Sequence, residues 1–322
     1  MSAMLRLRVQ LPSTHTERVV DRLRDDPAVS SLTVLPGCSV KPPGDLIIAE
    51  LAREGTNSIV DFLRREQIPQ LGSIQLDPVR SWLSAEGVRA EKRSPGSGAD
   101  AVVWNDVTQQ AYEESELNFS FVSFMFLATL IAGIAIVLDS QVLVIGAMVL
   151  GPEFAPISAM ALAVVRRRRS LFRQAARTLA VGFLIAILGT MLITLLGRAL
   201  GWVTLEDMTG PRPSTAFIYS PDRWSFVVAV IAAIAGVLSL TSARVGGLSG
   251  VFISVTTIPA GANLAMALAF GVRDEAVGSA AQLAVNFTGM VIAGALTLSV
   301  QQWVWRRLHR ESREQQGQIP TA

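Results

Sequence analysis

Residues 142–165 read VLVIGAMVLGPEFAPISAMALAVV. The stretch is as long and apolar as a membrane span, since about 20 apolar residues cross roughly 30 Å of hydrocarbon. Yet Gly151, Pro152, Glu153 and Pro156 interrupt its middle. Proline donates no backbone hydrogen bond and its ring clashes with the preceding turn, so the helix is expected to kink or unwind around GPEFAP. Backbone groups freed in lipid are costly, so such a break must be buried in protein or line a wet cavity. An ionisable residue at mid-membrane costs roughly 3 kcal/mol on insertion scales, which makes Glu153 a candidate functional residue.

The rest of the chain supports the membrane reading. Of its 322 residues, 50% are hydrophobic and only 17% are charged, and mean hydropathy is positive. That balance is too apolar for an ordinary soluble protein. Charges are dense over residues 1–115, whereas 119–305 consist mostly of Ala, Val, Leu, Ile, Gly and Ser. Six candidate spans follow: 119–138, 142–165, 178–200, 225–242, 245–271 and 279–305. The fifth carries a second interruption, TTIPAGAN (256–263), with Pro259 and Gly261.

Basic residues near span ends mark the cytoplasmic side. They gather in RRRRSLFRQAAR (166–177), at Arg244 and in RRLHRESR after the sixth span, while acids balance bases in the other loops. Both termini are therefore expected in the cytoplasm. Trp202, Trp224, Trp303 and Trp305 fall at span ends, where interfacial aromatics belong. No amino-terminal signal peptide is evident, and the single cysteine, Cys38, suits a reducing compartment. ISAMALAVV (157–165) resembles NLAMALAFG (263–271), and IAGIAIVLDS (131–140) resembles IAGVLSLTSA (234–243). Three spans per half, the middle one broken in each, make an inverted pair of repeats. Secondary transporters use this layout, with their sites at the breaks.

At each break one half-helix offers carbonyls and the next offers amide N–H groups, which together suit an ion or small charged solute. Glu153 can bind a cation or carry a proton. Gly151, Pro152, Pro156, Pro259 and Gly261 would shape the cavity, with Thr256, Thr257 and Asn263 as oxygen ligands and Asn286 and Gln282 facing the same space. The plainer reading is that proline and glycine only kink packed helices, Glu153 is held in a dry interface, and Asp139, Gln282 and Asn286 are interhelical glue or end markers. Gly246 and Gly250 form a small-residue pair that lets helices approach closely. The enclosed GLSG (247–250) has the Gly-x-Ser-Gly form of rhomboid proteases, but the histidines, His15 and His309, lie outside the spans. No serine base is then available. Two remote histidines and one cysteine also make no metal cluster, and no cofactor motif occurs, so no enzyme is expected.

The soluble half alternates strand and helix patterns. LRLRVQL (5–11), VSSLTVL (29–35), DLIIAEL (45–51) and LGSIQLDPV (71–79) read as strands, and THTERVVDRLRDD (14–26) and NSIVDFLRREQ (57–67) as amphipathic helices. The order βαββαβ predicts a ferredoxin-like α+β sandwich. That fold fixes no function. Without aromatic pairs on the strands or a phosphate loop, it suits oligomerisation or docking, or ligand sensing, rather than nucleic-acid binding. Residues 84–103 have a linker's composition, and 105–118 a short polar helix.

The segment VLVIGAMVLGPEFAPISAMALAVV, preceded by Asp139 and Ser140, resembles a bacterial and archaeal family of hydrophobic membrane proteins, domain-of-unknown-function family 389. The resemblance extends over roughly residues 115–305 and is most specific where Gly-Ala-Met runs into GPEFAP. It implies a polytopic protein of the inner or plasma membrane and supplies no substrate or functional residue. The expected organisation is a cytosolic ferredoxin-like domain (1–83), a linker and juxtamembrane helix (84–118), an α-helical polytopic domain of six spans in two inverted three-helix repeats (119–305) and a cytosolic tail (306–322). The expected function is transport or conduction of a small solute or ion. A membrane sensor or scaffold, acting through an oligomerising or ligand-binding cytosolic domain, is the competing expectation. A homo-oligomer in the bilayer suits both.

Overall fold

The computed structural model describes residues 4–79, 83–93, 102–218, 223–241 and 256–316. The chain is mostly helical, with one small antiparallel sheet near the amino terminus. It divides into two units. The first runs through Val107 and is joined by the end of the last helix from Trp303; the second begins at Thr108.

In the first unit, β1 (Met4–Leu11), α1 (Thr16–Arg24), β2 (Val29–Val40), β3 (Pro43–Ala52), α2 (Thr56–Arg65), the short α3 (Ile68–Leu71) and β4 (Ser73–Pro78) follow in order. The antiparallel sheet has strand order β2-β3-β1-β4, the layout of a ferredoxin-like sandwich. Alternation sets the faces. Leu7 lies opposite Ala49 and Leu76, and Val9 opposite Ile47 and Ile74, so one register row after another feeds the core formed with Val19, Leu23, Ile59 and Leu63. Arg6, Arg8 and Glu50 take the other face, where Arg6 and Glu50 pair at 2.9 Å.

Two expectations for this unit change. The Gly/Pro-rich residues 36–44, between the strands expected at 29–35 and 45–51, are mostly strand themselves: β2 extends to Val40 and β3 begins at Pro43, the surplus residues being absorbed by a register shift between Leu35 and Ser39. The expected linker contains a helix, α4 (Ala85–Arg93), whose Ala90 is buried; its apolar residues are sparse, which hid it from composition. Beyond it, Asn57 of α2 donates to the Val102 carbonyl at 2.7 Å and accepts from the Trp104 amide at 3.2 Å, fixing the start of α5 (Trp104–Glu114).

The second unit holds α6 (Phe119–Val137), α7 (Gln141–Leu150), α8 (Phe154–Val165), α9 (Arg169–Ala199), the short α10 (Leu205–Thr209), α11 (Arg223–Thr241), α12 (Thr257–Phe270) and α13 (Arg273–Gln316). Helices α6, α9 and α13 are long and apolar enough to cross a membrane, as befits a membrane protein. Helices α7 and α8 pass the same test only as a pair, bent by 54° at their break. Helix α12 and the apolar part of α11, Phe226–Thr241, are shorter. Large apolar side chains face outward along α9, among them Leu184, Leu188, Leu192 and Leu196, as a lipid environment permits. Inside, Phe121, Met125, Ile157, Phe183, Met266 and Met290 belong to one core.

Several helix ends close alike. Asp139, Arg167, Gly201 and Gly271 have positive φ, and each following amide bonds back five residues, to Ala135, Ala163, Gly197 and Ala267. These Schellman-type closures satisfy carbonyls that lipid would leave bare.

The helical unit also corrects the expected loops. The arginine run is mostly helix, because α9 starts at Arg169 and carries Arg173 and Arg177 in its first turns. Arg273, Asp274 and Glu275 are the first turn of α13 rather than a loop, the two acids suiting a helix amino terminus. Residues 257–263 form continuous helix, so the expected break at TTIPAGAN does not lie there. Pro259 is the third residue of α12, a position whose N–H has no intrahelical partner in any case. Pro156 stands at the matching place in α8. Residues 242–255, including Gly246, Gly250 and GLSG, lie outside the described residues, as do the side chains of Trp224 and Trp305.

Candidate functional site

The α7–α8 break spans Gly151 to Glu153. Gly151 suits this close approach. A Cβ at this position would collide with Glu153 Oε2 and with the Ile258 side chain at 2.6 Å. Glu153 immediately precedes α8 and is 1% exposed. Its Oε1 accepts a hydrogen bond from the Thr257 hydroxyl at 2.7 Å. Thr257 is the first residue of α12, so a carboxyl lies at a helix amino terminus, where N–H groups and the helix dipole favour negative charge. The α7–α8 break and the start of α12 therefore meet at polar residues.

A second group adjoins this one through Thr256. Its hydroxyl accepts from Gln282 Nε2 at 3.2 Å and from Asn286 Nδ2 at 3.0 Å. Asn263, two turns further along α12, does not share these partners. Its Nδ2 donates to Ser279 at 2.9 Å and to Glu275 at 3.1 Å, and its Oδ1 accepts from Arg212 at 3.3 Å. Arg212 and Glu275 complete this group as an ion pair of 2.6 Å, with side chains 5% and 13% exposed.

These partners share one geometry. Glu275, Ser279, Gln282 and Asn286 are spaced 4, 3 and 4 residues apart, which places them on one face of α13. Thr256, which immediately precedes α12, and Asn263, seven residues on, both bond to this face of α13. The α13 stripe runs about 16 Å at 1.5 Å per residue. Ser279, Gln282 and Asn286 are fully buried. Asp139 belongs elsewhere: it accepts from the Ser214 amide at 3.2 Å and the Thr215 hydroxyl at 2.9 Å. It thereby anchors the segment that carries Arg212.

Among the expected site residues, Glu153 and Thr257 come together, as do Thr256, Gln282 and Asn286. Pro156 and Pro259 open helices. Gly261 serves packing, since a Cβ there would lie 3.1 Å from the Phe183 ring. Arg212 and Glu275 escape the sequence reading because they stand in stretches that look like loop, and Ser279 because it only opens the expected sixth span. The 4-3-4 spacing was the available signal.

Residues 148–292 match the family described as "Domain of unknown function (DUF389)". The similarity to DUF389 takes in 145 of the 322 residues, under half of the chain. It is similar to an uncharacterised protein of Methanocaldococcus jannaschii, 23% identical over 222 residues, a stretch covering 67% of this chain and 65% of that protein. The matched region spans less than two thirds of that relative's length. No solved structure matches. The DUF389 match includes the α7–α8 break, α12 and the stripe of α13, so the polar residues described above all lie within the family segment or, for Asp139, just before it.

Proposed function

We propose that this protein moves a small solute or ion across the bacterial inner membrane, with its site where the α7–α8 break meets the start of α12. The observation that carries this reading is the Glu153–Thr257 hydrogen bond, which brings a buried carboxyl to a helix amino terminus. A broken span with an embedded acid is the feature around which secondary transporters bind their cargo. In this reading six spans form two inverted three-helix repeats, both termini are cytoplasmic and the arginine-rich turn marks the cytoplasmic face. The spans are α6, the α7–α8 pair, α9, α11, the segment ending in α12, and α13. The similar helices α8 and α12 each start two residues before a proline and end in a Schellman-type closure. Copies associate as a homo-oligomer.

The test is flux. Full-length protein and Glu153→Gln are reconstituted into liposomes, and entry of protons, sodium, potassium and chloride is followed. Flux that collapses in Glu153→Gln supports the reading; flux that persists unchanged removes Glu153 from the pathway. The competing reading is a membrane scaffold or sensor in which Glu153 is the counter-charge of α12, and the same hydrogen bond favours it. That reading predicts no flux in either protein and a less stable Glu153→Gln.

A further inference from the structure

We propose that the polar stripe of α13 is an entry path for a small monovalent cation, and that Arg212 is a tethered cation closing its end. The proposal rests on the transport reading and specifies its substrate class and its gate.

The stripe offers oxygen and amide groups and few charges. Glu275 begins it, and Ser279, Gln282 and Asn286 continue it inward, with Asn263 and Thr256 facing them from α12. The cation at its mouth belongs to the protein. Arg212 gives one N–H to the Glu275 carboxylate and another to the Asn263 amide oxygen. A carboxylate and an amide oxygen converging on one positive charge form a cation site. Here a side chain fills it. Arg212 stands between Pro211 and Pro213, whose rings restrict the backbone that carries it. Two and three residues on, Ser214 and Thr215 are tied to Asp139, so the strap is fastened beside its plug.

A separate observation points inside. Gln282 Oε1 is buried and accepts no hydrogen bond among the described residues. A buried acceptor left unsatisfied is destabilising, and an ion or water that fills such a place removes the cost. The strap closes the stripe at the face remote from the arginine-rich turn, because α9 begins at that turn and, after 31 residues, ends just before the strap.

The test uses accessibility, which does not require knowing the cargo. In full-length protein with Cys38→Ser, which removes the exposed native thiol, Ser279→Cys is labelled with a cationic and an anionic methanethiosulfonate. With Arg212 present, labelling is slow. Arg212→Gln is expected to speed the cationic reagent about tenfold or more, with the anionic reagent lagging, and Arg212→Lys to stay near the parent. Sodium or potassium chloride should slow labelling of the opened protein more than choline chloride at equal ionic strength. Glu275→Gln breaks the same ion pair from the other side and carries the test if Arg212→Gln does not fold. It too should speed labelling of the introduced thiol, with less preference for the cationic reagent. Equal rates with and without Arg212, no labelling in any variant, faster anionic labelling, or equal protection by choline would each overturn the proposal. Slow labelling alongside Glu153-dependent flux sinks the stripe and spares transport. Arg212-dependent labelling alongside flux indifferent to Glu153 does the reverse.

Discussion

Glu153 and Thr257 are 104 residues apart in sequence and joined by a hydrogen bond of 2.7 Å. Each sits where a helix begins, so the contact ties the break after α7 to the start of α12. A buried carboxyl that loses a hydrogen-bond donor is costly. Thr257→Val keeps the shape and removes the hydroxyl. It should lower stability by about 1–3 kcal/mol, measured by thermal unfolding in detergent. In a Glu153→Gln background the same change should cost less, since the two residues act as a pair. Additive losses would show that the bond contributes little.

Gly151 makes that contact sterically feasible. Gly151→Ala places a methyl against Glu153 and Ile258, and overpacking of this kind costs about 1–3 kcal/mol. The expected result is a lower unfolding temperature together with weakened coupling between Glu153 and Thr257. An unchanged unfolding temperature would mean that the break relaxes without strain.

Asn57 offers a test in the amino-terminal unit. It holds residues 102–104 through one donated and one accepted bond. Asn57→Ala should speed hydrogen exchange at the Trp104 amide by about five- to tenfold, the local counterpart of roughly 1 kcal/mol, while amides of β1 keep their protection. Unaltered exchange at Trp104 would show that α5 is held by other contacts.

Glu54 gives this unit a pH dependence. Burial raises its pKa from near 4.5 to about 7; a backbone hydrogen bond opposes the rise, the nearby Glu91 adds to it, and Arg53 opposes it. The folded state therefore holds a proton that the unfolded chain releases. Stability from this group is present below pH 4.5 and is lost as pH climbs to about 7. The loss is roughly 3 kcal/mol or less. Unfolding of the unit followed between pH 5 and 8 should show the decline, and Glu54→Gln should flatten it. A decline that survives the substitution would assign it to another group.

The elements of this chain are written locally. Alternation along LRLRVQL and DLIIAEL sets a sheet face, and apolar runs bounded by charge mark the long helices. Gly151, Pro152 and Glu153 announce the break that bends α7 against α8 by 54°, because the loss of a backbone donor acts within one helical turn. The same reasoning expects a break within residues 257–263, where the helix is continuous. Pro259 opens α12 instead of interrupting it, and a proline in a first turn resembles one in a helix interior until the helix start is known. Glu275 looks like a loop charge for a related reason: α13 begins before its apolar run does.

What local pattern cannot encode is the choice of partner. Glu153 could face lipid, water or another helix with its sequence neighbours unchanged, and Thr257 is selected only by how the helices pack. Asn263 was grouped with Glu153 on the strength of two interrupted segments, but folding gives it to Arg212, Glu275 and Ser279. Side-chain periodicity specifies a face, whereas a hydrogen bond requires two atoms within about 3 Å. That coincidence depends on every residue between them.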